Sequence, residues 1–295
     1  MAGRSYTIGS TTFSAPALPA ALHLVSTPIG NLRDITIRAL EVLAAADILA
    51  CEDTRTTRVL LNRYGISRGA TAYHEHNADQ AGPKLIAALQ AGQSVALVSD
   101  AGTPLVSDPG FRLVAAVREA GFAVVPIPGP SAPLAALAAS GLATDSFFFA
   151  GFLPHKAGQR LARLKELERV PATLIFFEAP GRAAATLAAM AEVYGPERTA
   201  TLARELTKAF EEIVTAPLGD LAARHADTDP RGEIVLLVSP PDTTVEQWSD
   251  AAVDALLGEL AEAMPASKAA AEAARQTGRP KTELYRRLTD LKHGA

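Results

Sequence analysis

Apolar residues follow two rhythms along this chain. Short unbroken apolar runs alternate with longer stretches in which apolar positions recur every three or four residues. The runs Leu22 to Ser26, Ile48 to Cys51, Val95 to Val98 and Val124 to Pro128 predict strands, and Val95 to Val98 has the pattern of one buried on both faces. Helices are expected between them. One follows a cap at Asp34 and carries Ile37, Leu40 and Leu43 on one face. Others run to Tyr64, with Gly65 as cap, over Lys84 to Ala91, and to Ala120 before Gly121. Thr71 to His74 predicts a further short strand. This β-α-β-α order through about residue 130 is that of a mostly parallel sheet.

Beyond residue 132 the order changes. Phe147 to Gly151, Leu174 to Phe177, Thr199 to Ala203 and Ile234 to Val238 predict strands, and Gln159 to Arg169 predicts a basic amphipathic helix. The second sheet is therefore expected to be mixed. Pro240-Pro241-Asp242 marks a linker, and a helical piece is expected from Val245 to Lys292. Within it, Gly278 and Pro280 break two helices in the manner of a helix-turn-helix. The expected organisation is a disordered Ser/Thr/Ala/Pro-rich extension over 1–20, α/β domains over 21–131 and 132–241, and a helical tail over 245–295.

Charge adds one contrast. The chain has 295 residues and a net charge of −4, so nothing global draws it to nucleic acid. Residues 266–295 hold seven Lys/Arg against three Asp/Glu, a local +4. That tail is either an RNA contact or a solvated helical module packed on the body or a partner. Residues 120–144 carry no charge, but Pro126, Pro128, Pro130 and Pro133 interrupt them, so a strand, a loop and a helix are expected, not a membrane span. No apolar leader opens the sequence, and a cytoplasmic protein is expected. The single cysteine, Cys51, is expected in the core, and the six histidines show no zinc spacing, so no metal site is expected.

Candidate chemistry sits at strand ends. Ser94 to Gly110 reads as a buried strand, a carboxylate at Asp100, a glycine turn, and a helix capped by Asp108 with Pro109 in its first turn. In open α/β sheets ligands bind beyond the carboxyl ends of strands. Three more loops share this small, kinked character: Pro28-Ile29-Gly30-Asn31, Gly129-Pro130-Ser131 and Glu178-Ala179-Pro180-Gly181. Neither GxGxxG nor GxxxxGK[ST] occurs, so pyrophosphate is not supported. A nucleoside with a compact polar tail fits better, with Asp100 accepting hydrogen bonds from ribose or an amino group.

Taken together, TPIGNL at 27–32, CEDTR at 51–55, SDAGTPLVSDPG at 99–110, PIPGPSA at 126–132, FFEAPGR at 176–182, ARELTK at 203–208 and GEIVLLV at 232–238 resemble the tetrapyrrole methylase family. The resemblance is closest to its branch acting on cytidine 2′-hydroxyls of 16S ribosomal RNA. It implies two α/β domains with S-adenosylmethionine in the cleft between them, and a homodimer acting on the small ribosomal subunit. By position, Pro28, Asp100, Thr103, Ser131, Ala132, Phe177 and, more loosely, Leu206 match the family's cofactor contacts. A ribose hydroxyl needs a base or a cation to react. Asp53 or Glu205 are candidates for the base, Lys208 for stabilising the oxyanion, and Arg55 and Arg204 for holding phosphates. The alternatives are a methyltransferase of the same fold acting on a small molecule or protein side chain, and a non-catalytic nucleic-acid-binding protein.

Overall fold

The computed structural model describes residues 4–108, 110–228, 230–241 and 249–293. The chain to Ser239 forms one compact unit, and Pro240 onwards a second.

The first unit opens with an antiparallel hairpin, β1 (Ser5–Ile8) and β2 (Thr11–Ser14). This corrects the expectation of a disordered extension over 1–20. Tyr6 stacks on Phe13 with ring centroids 5.4 Å apart, and it is buried. The Thr7 amide donates to the Tyr64 carbonyl at 2.7 Å. Gly9, at φ +63°, makes the turn that a Ser/Thr-rich composition obscured.

A five-stranded sheet follows, with β3 (Leu22–Val25), β4 (Ile48–Cys51), β5 (Thr71–Ala72), β6 (Val95–Val98) and β7 (Val124–Ile127) in the order β5-β4-β6-β3-β7. Every pairing in it is parallel. Helices α1 (Ile37–Ala45) and α2 (Thr54–Arg63) cover one face, where Leu40, Leu43, Leu60 and Leu61 pack on Val25, Cys51 and Val98. Helices α3 (Ala78–Gln90) and α4 (Phe111–Glu119) cover the other, where Leu89, Leu113 and Val117 meet Leu22, Val95 and Leu97. Burial on both faces explains the unbroken apolar runs of the inner strands β4 and β6.

Four local expectations change. Thr36, not Asp34, caps α1, accepting the Ala39 amide at 3.2 Å. Ile37 stands exposed in the first turn instead of joining Leu40 and Leu43. Helix α4 starts at Gly110, whose φ of +134° turns the chain into the helix, so Asp108 is left in the loop. Strand β5 stops at Ala72 because the Asn77 side chain takes both the Ala72 carbonyl and the His74 amide.

The second sheet holds β8 (Phe147–Phe152), β9 (Thr173–Glu178), β10 (Thr199–Arg204), β11 (Glu212–Pro217) and β12 (Ile234–Val238) in the order β11-β10-β12-β9-β8. Only β8 and β9 pair in parallel, so the sheet is mixed, as the sequence led one to expect. Strand β11 was not foreseen; its alternation is diluted by Glu212 and Thr215. Helix α5 (Ala132–Ser140) lies on one face against Ile175, Ala203, Val235 and Leu237. Helices α6 (Ala157–Leu167), α7 (Ala183–Tyr194) and α8 (Leu218–Arg224) cover the other against Leu174, Phe176, Leu202 and Leu236. Ile29, from the loop after β3, is buried in the α5-side cluster beside Leu206. The first sheet's strand-end loops are thereby anchored to the second sheet.

The second unit contains α9 (Asp250–Ala263), α10 (Ala266–Thr277) and α11 (Lys281–His293). Val253, Leu257, Ala269, Ala270, Ala273, Leu284 and Leu288 form its core. Gly278, at φ +70°, caps α10 and makes the turn into α11. The expected helical residues 245–248 lie outside the described residues.

Candidate cofactor cavity and its charged rim

The loops after β3, β6 and β7 face the ends of β9, β10 and β12 across a cavity of about 400 Å³. Asp100, Thr103, Ser131, Ala132, Phe177 and Leu206 all line it. Six of the seven positions singled out for the cofactor are thus brought together. Pro28 is not among the lining residues; its neighbour Ile29 is.

Hydrogen bonds sew the first sheet's loops into one wall. Thr27 and Gly102 exchange backbone bonds at 2.8 and 3.0 Å. The Ser26 hydroxyl donates to the Thr103 hydroxyl at 3.3 Å, which donates to the Pro130 carbonyl at 3.3 Å. The Thr103 hydroxyl is therefore engaged within the protein, and that residue's contribution to a ligand falls to its backbone. Ser131 precedes α5 and makes no side-chain capping bond.

The opposite wall is apolar and aromatic. Phe177 lies 5.0 Å from Phe149 and 5.4 Å from Phe152, centroid to centroid. Ile29, Leu206 and Val235 continue it. Such walls suit the faces of a purine, and the carboxylates beside them suit a cationic sulfonium or amino group. Gly102, at φ +79°, keeps the backbone open to close approach. The lining thus fits S-adenosylmethionine on its own chemistry.

Carboxylates cluster at one end. The Asp53 amide donates to Asp100 Oδ1 at 2.9 Å, tying the loop after β4 to the cavity. Asp108 lines the cavity, and burial, with Glu52 and Asp100 nearby, pushes its pKa up to about 6. Burial and Asp100 likewise raise the Glu52 carboxyl. Leu105 and Ser107, just before Asp108, have φ of +74° and +64°. Left-handed backbone at non-glycine residues stores strain and concentrates at functional sites. Glu178 is buried in the wall but committed: it faces Arg182 at 3.2 Å and accepts from Thr186 at 2.5 Å and its neighbour's amide at 2.8 Å. Sequence reasoning missed Asp108 as a cavity residue because the Asp-Pro pair read as a helix start. Its place in the same loop as Asp100 was the available signal.

The charged candidates from the sequence form a rim of ion pairs. Arg55 grips Asp53 through two nitrogens, at 2.7 and 3.1 Å, and holds that carboxyl down at about 2. Arg204 pairs with Glu212 at 2.6 Å. Lys208 sits between Glu205 and Glu233 at 2.9 and 3.1 Å. Burial acts to lower the Lys208 pKa, but the two carboxylates prevail and raise it. The Glu205 carboxyl is held low, first by Lys208 and then by the Glu233 amide. Neither Asp53, Arg55, Arg204, Glu205 nor Lys208 lines the cavity, whereas Glu233, the partner of Lys208, does.

Close packing fixes the loop after β10 against the loop after β3. A Cβ on Gly30 would come within 2.6 Å of Lys208 Cγ and 2.9 Å of Thr207 Oγ1. The Asn31 amide donates to that Thr207 hydroxyl at 3.0 Å. Glu205 and Thr207 adopt φ of +51° and +66°. A side chain at Gly232 would collide with the Glu205 carboxyl. Among the described residues no group of His, Cys, Asp or Glu is placed to hold a metal ion.

The model of the tetrapyrrole (corrin/porphyrin) methylases matches residues 21–222, and that of the RsmI C-terminal HTH domain matches residues 248–292. A ribosomal RNA small subunit methyltransferase I of Mesorhizobium japonicum is 64% identical over 286 residues, covering 97% of each chain. The protein of that name from Escherichia coli O157:H7 is 48% identical, covering 92% of this chain and 96% of its own. The chain belongs to this methyltransferase family. Membership bears out the resemblance in its motifs and, with it, the reading of an S-adenosylmethionine-dependent methyltransferase. The fold agrees with a uroporphyrin-III C-methyl transferase of Thermus thermophilus, solved with S-adenyl homocysteine. That likeness has a TM-score of 0.54 at 21% identity and covers 74% of this chain and 97% of that one.

Proposed function

We propose that this chain transfers a methyl group from S-adenosylmethionine to the 2′-hydroxyl of a cytidine ribose in 16S ribosomal RNA. The observation that carries this reading is the gathering of Asp100, Thr103, Ser131, Ala132, Phe177 and Leu206 around one cavity in a chain 64% identical to a small subunit rRNA methyltransferase. When bound, S-adenosylmethionine supplies an electrophilic methyl on a sulfonium, so the chain itself has to hold the hydroxyl in line and manage its proton.

Asp108 is the residue best suited to take that proton. It faces the cavity, and its pKa of about 6 leaves it ionised yet basic near neutral pH. Asp53 and Glu205 are weaker candidates, because ion pairs depress both carboxyls. Lys208 stabilises the developing oxyanion, and Glu205 and Glu233 position it. Arg55 and Arg204 hold RNA phosphates.

On α11 of the second unit, Lys281 and Arg286 are exposed and make no ion pair among the described residues, and Tyr285 on the same helix is 47% exposed. That surface suits a nucleic-acid strand, with cations for phosphate and a ring for stacking. The enzyme works as a homodimer in the cytoplasm; among the described residues no helix is long and apolar enough to cross a membrane.

The test is incubation of the full chain with labelled S-adenosylmethionine and small ribosomal subunits. Label recovered in nuclease-resistant dinucleotides supports 2′-O-transfer. Label in protein or small molecules only, or none in RNA, overturns it.

A further inference from the structure

A second cleft, of about 440 Å³, opens at the same end of the mixed sheet as the cofactor cavity. It is lined by Arg204, Glu212, Arg224, His225, Thr228, Pro230 and Arg231. Three guanidiniums and one carboxylate thus line it, and two of the three pair with that carboxylate. Glu212 accepts from Arg204 at 2.6 Å and from Arg224 at 2.7 Å. Its carboxyl is lowered by both, Arg204 first. Arg231 is exposed and makes no hydrogen bond or ion pair among the described residues. Helix α8 ends at Arg224, with His225 as its cap. The cleft carries a net positive charge in a chain whose overall charge is −4.

Its position relates it to the reaction. Arg231 and Glu233 stand two residues apart on the segment entering β12, one lining the cleft and the other the cofactor cavity. Two residues of chain span at most about 7 Å. Strands β11 and β9 are three places apart in the sheet, a separation of about 14 Å. The cavity lies on the α5 side of the sheet and the cleft on the α8 side, so an RNA strand reaching both would cross the sheet's end at the segment entering β12.

We infer that the cleft formed by Arg204, Arg224, Arg231 and His225 is a phosphodiester-binding subsite for the RNA strand flanking the methylated ribose. The inference rests on the RNA-methylating reading above. Arginine suits a phosphodiester because its planar fork donates to two phosphate oxygens at once, and Glu212 pre-orients two of the three forks. Among the described residues Arg231 makes no ion pair, so it adds an uncommitted cation to the set. The cleft adds charge and geometry without base-edge contacts, so it fixes register and not sequence.

The experiment measures binding of the full chain and its Arg224→Ala and Arg231→Ala variants to small ribosomal subunits over a series of salt concentrations. Arg231→Ala is the decisive variant, because that exposed side chain makes no hydrogen bond or ion pair among the described residues. Each substitution is expected to weaken RNA binding about tenfold. The double variant is expected to flatten the slope of log affinity against log salt by about 0.7–0.9. KM for RNA rises more than kcat falls, and S-adenosylmethionine affinity by calorimetry is unmoved. Unchanged RNA affinity and slope in a chain that still methylates RNA would overturn the subsite alone. An unaltered chain that methylates no RNA overturns the subsite and the reading beneath it. Titration with inorganic phosphate, followed on the His225 ring by NMR, separates the ligand sources. Saturable binding of free phosphate without any loss of RNA affinity in the variants would reassign the cleft to a free anion and overturn the proposal.

Discussion

Two loops reach the cofactor region from opposite sheets, and they are built alike yet charged in opposite manners. The loop after β6, Asp100 to Gly110, and the loop after β10, Glu205 to Glu211, each hold two non-glycine residues at positive φ. In the second loop the acids at the rim are mostly held by cations: Glu205 has Lys208, and Glu212 just beyond has Arg204 and Arg224, while Glu211 accepts the Thr207 amide at 2.6 Å. In the first loop Asp108 pairs with no cation among the described residues; burial raises it and its carboxylate neighbours raise it further, against a hydrogen bond with Ser99. Pairing keeps a carboxylate ionised and a poor base; burial without pairing brings it towards neutrality, where it can accept a proton and release it. The strain is common to both loops, so it does not distinguish them. The charge pairing decides what each loop does.

The sharpest way to break this comparison is Asp108→Asn. The carboxamide keeps the shape and cannot take a proton, so kcat is expected to fall by about 10²–10⁴ with S-adenosylmethionine affinity little changed. In the unaltered enzyme kcat/KM is expected to decline below about pH 6, as Asp108 takes up a proton. The same shift has a consequence for stability. The folded carboxyl titrates at about 6 against an ordinary value of 3.8, so the neutral form is favoured by the fold. The stability it contributes is complete below pH 3.8 and is lost as pH rises through about 6. Asp108→Asn should therefore be more stable than the unaltered chain at pH 8. The gain is roughly 1–2 kcal/mol in urea unfolding, after discounting the full shift for partial solvent access. It should vanish near pH 4. A variant that is slow but equally stable at both pH values would leave the carboxyl catalytic and remove burial as the cause of its basicity.

Lys208→Met tests the other loop. If the ammonium stabilises the oxyanion, kcat falls by about 10²-fold, while the acid limb of the pH profile stays where it was. A limb that moves with Lys208→Met would mean that the titrating group belongs to the loop after β10, and the assignment of roles would reverse.

A smaller effect is expected at the contact that holds the two halves in register. Gly30→Ala places a methyl 2.6 Å from Lys208 Cγ and 3.0 Å from the Leu206 carbonyl oxygen, neither of them the far end of a flexible chain. A stability loss of about 1–3 kcal/mol in urea unfolding is expected from this overpacking. KM for S-adenosylmethionine should rise with it, because Leu206 lines the cavity.

How much of this was legible in the sequence depends on which force set each feature. The parallel sheet was legible because both its faces are buried, and Val95 to Val98 has no polar residue to confuse the pattern. The cofactor wall was legible because its loops carry distinctive small residues in a recognisable order. The hairpin over Ser5–Ser14 was not, since it is held by contacts such as the Tyr6–Phe13 stack, the backbone bond to Tyr64 and the burial of Tyr6 in the core, none of which composition records. Asp108 was read as a helix cap because a cap and a cavity acid share the same Asp-Pro spelling. The difference is made by Gly110, which starts α4 two residues later and leaves the carboxyl beside Glu52 and Asp100. The basic cleft was invisible for another reason: Arg204, Arg224 and Arg231 come from β10, α8 and the segment before β12, and only the order of strands in the sheet gathers them.

The mildest change is expected at Arg55. Its side chain is 90% exposed, and its ion-pair partner among the described residues, Asp53, is the residue that caps α2 by accepting the Arg55 amide at 2.8 Å. That capping bond uses the backbone, so Arg55→Ala leaves it in place and the unfolding midpoint should not move. Asp53 also binds Asp100 through its own amide, which no side-chain substitution at Arg55 removes. If Arg55 meets only an RNA phosphate, the variant raises KM for RNA by about threefold at low salt and by less at high salt, with kcat intact. A fall in kcat instead would place the guanidinium at the reacting hydroxyl. The loop after β4 would then share the chemistry that the comparison assigns to Asp108 and Lys208.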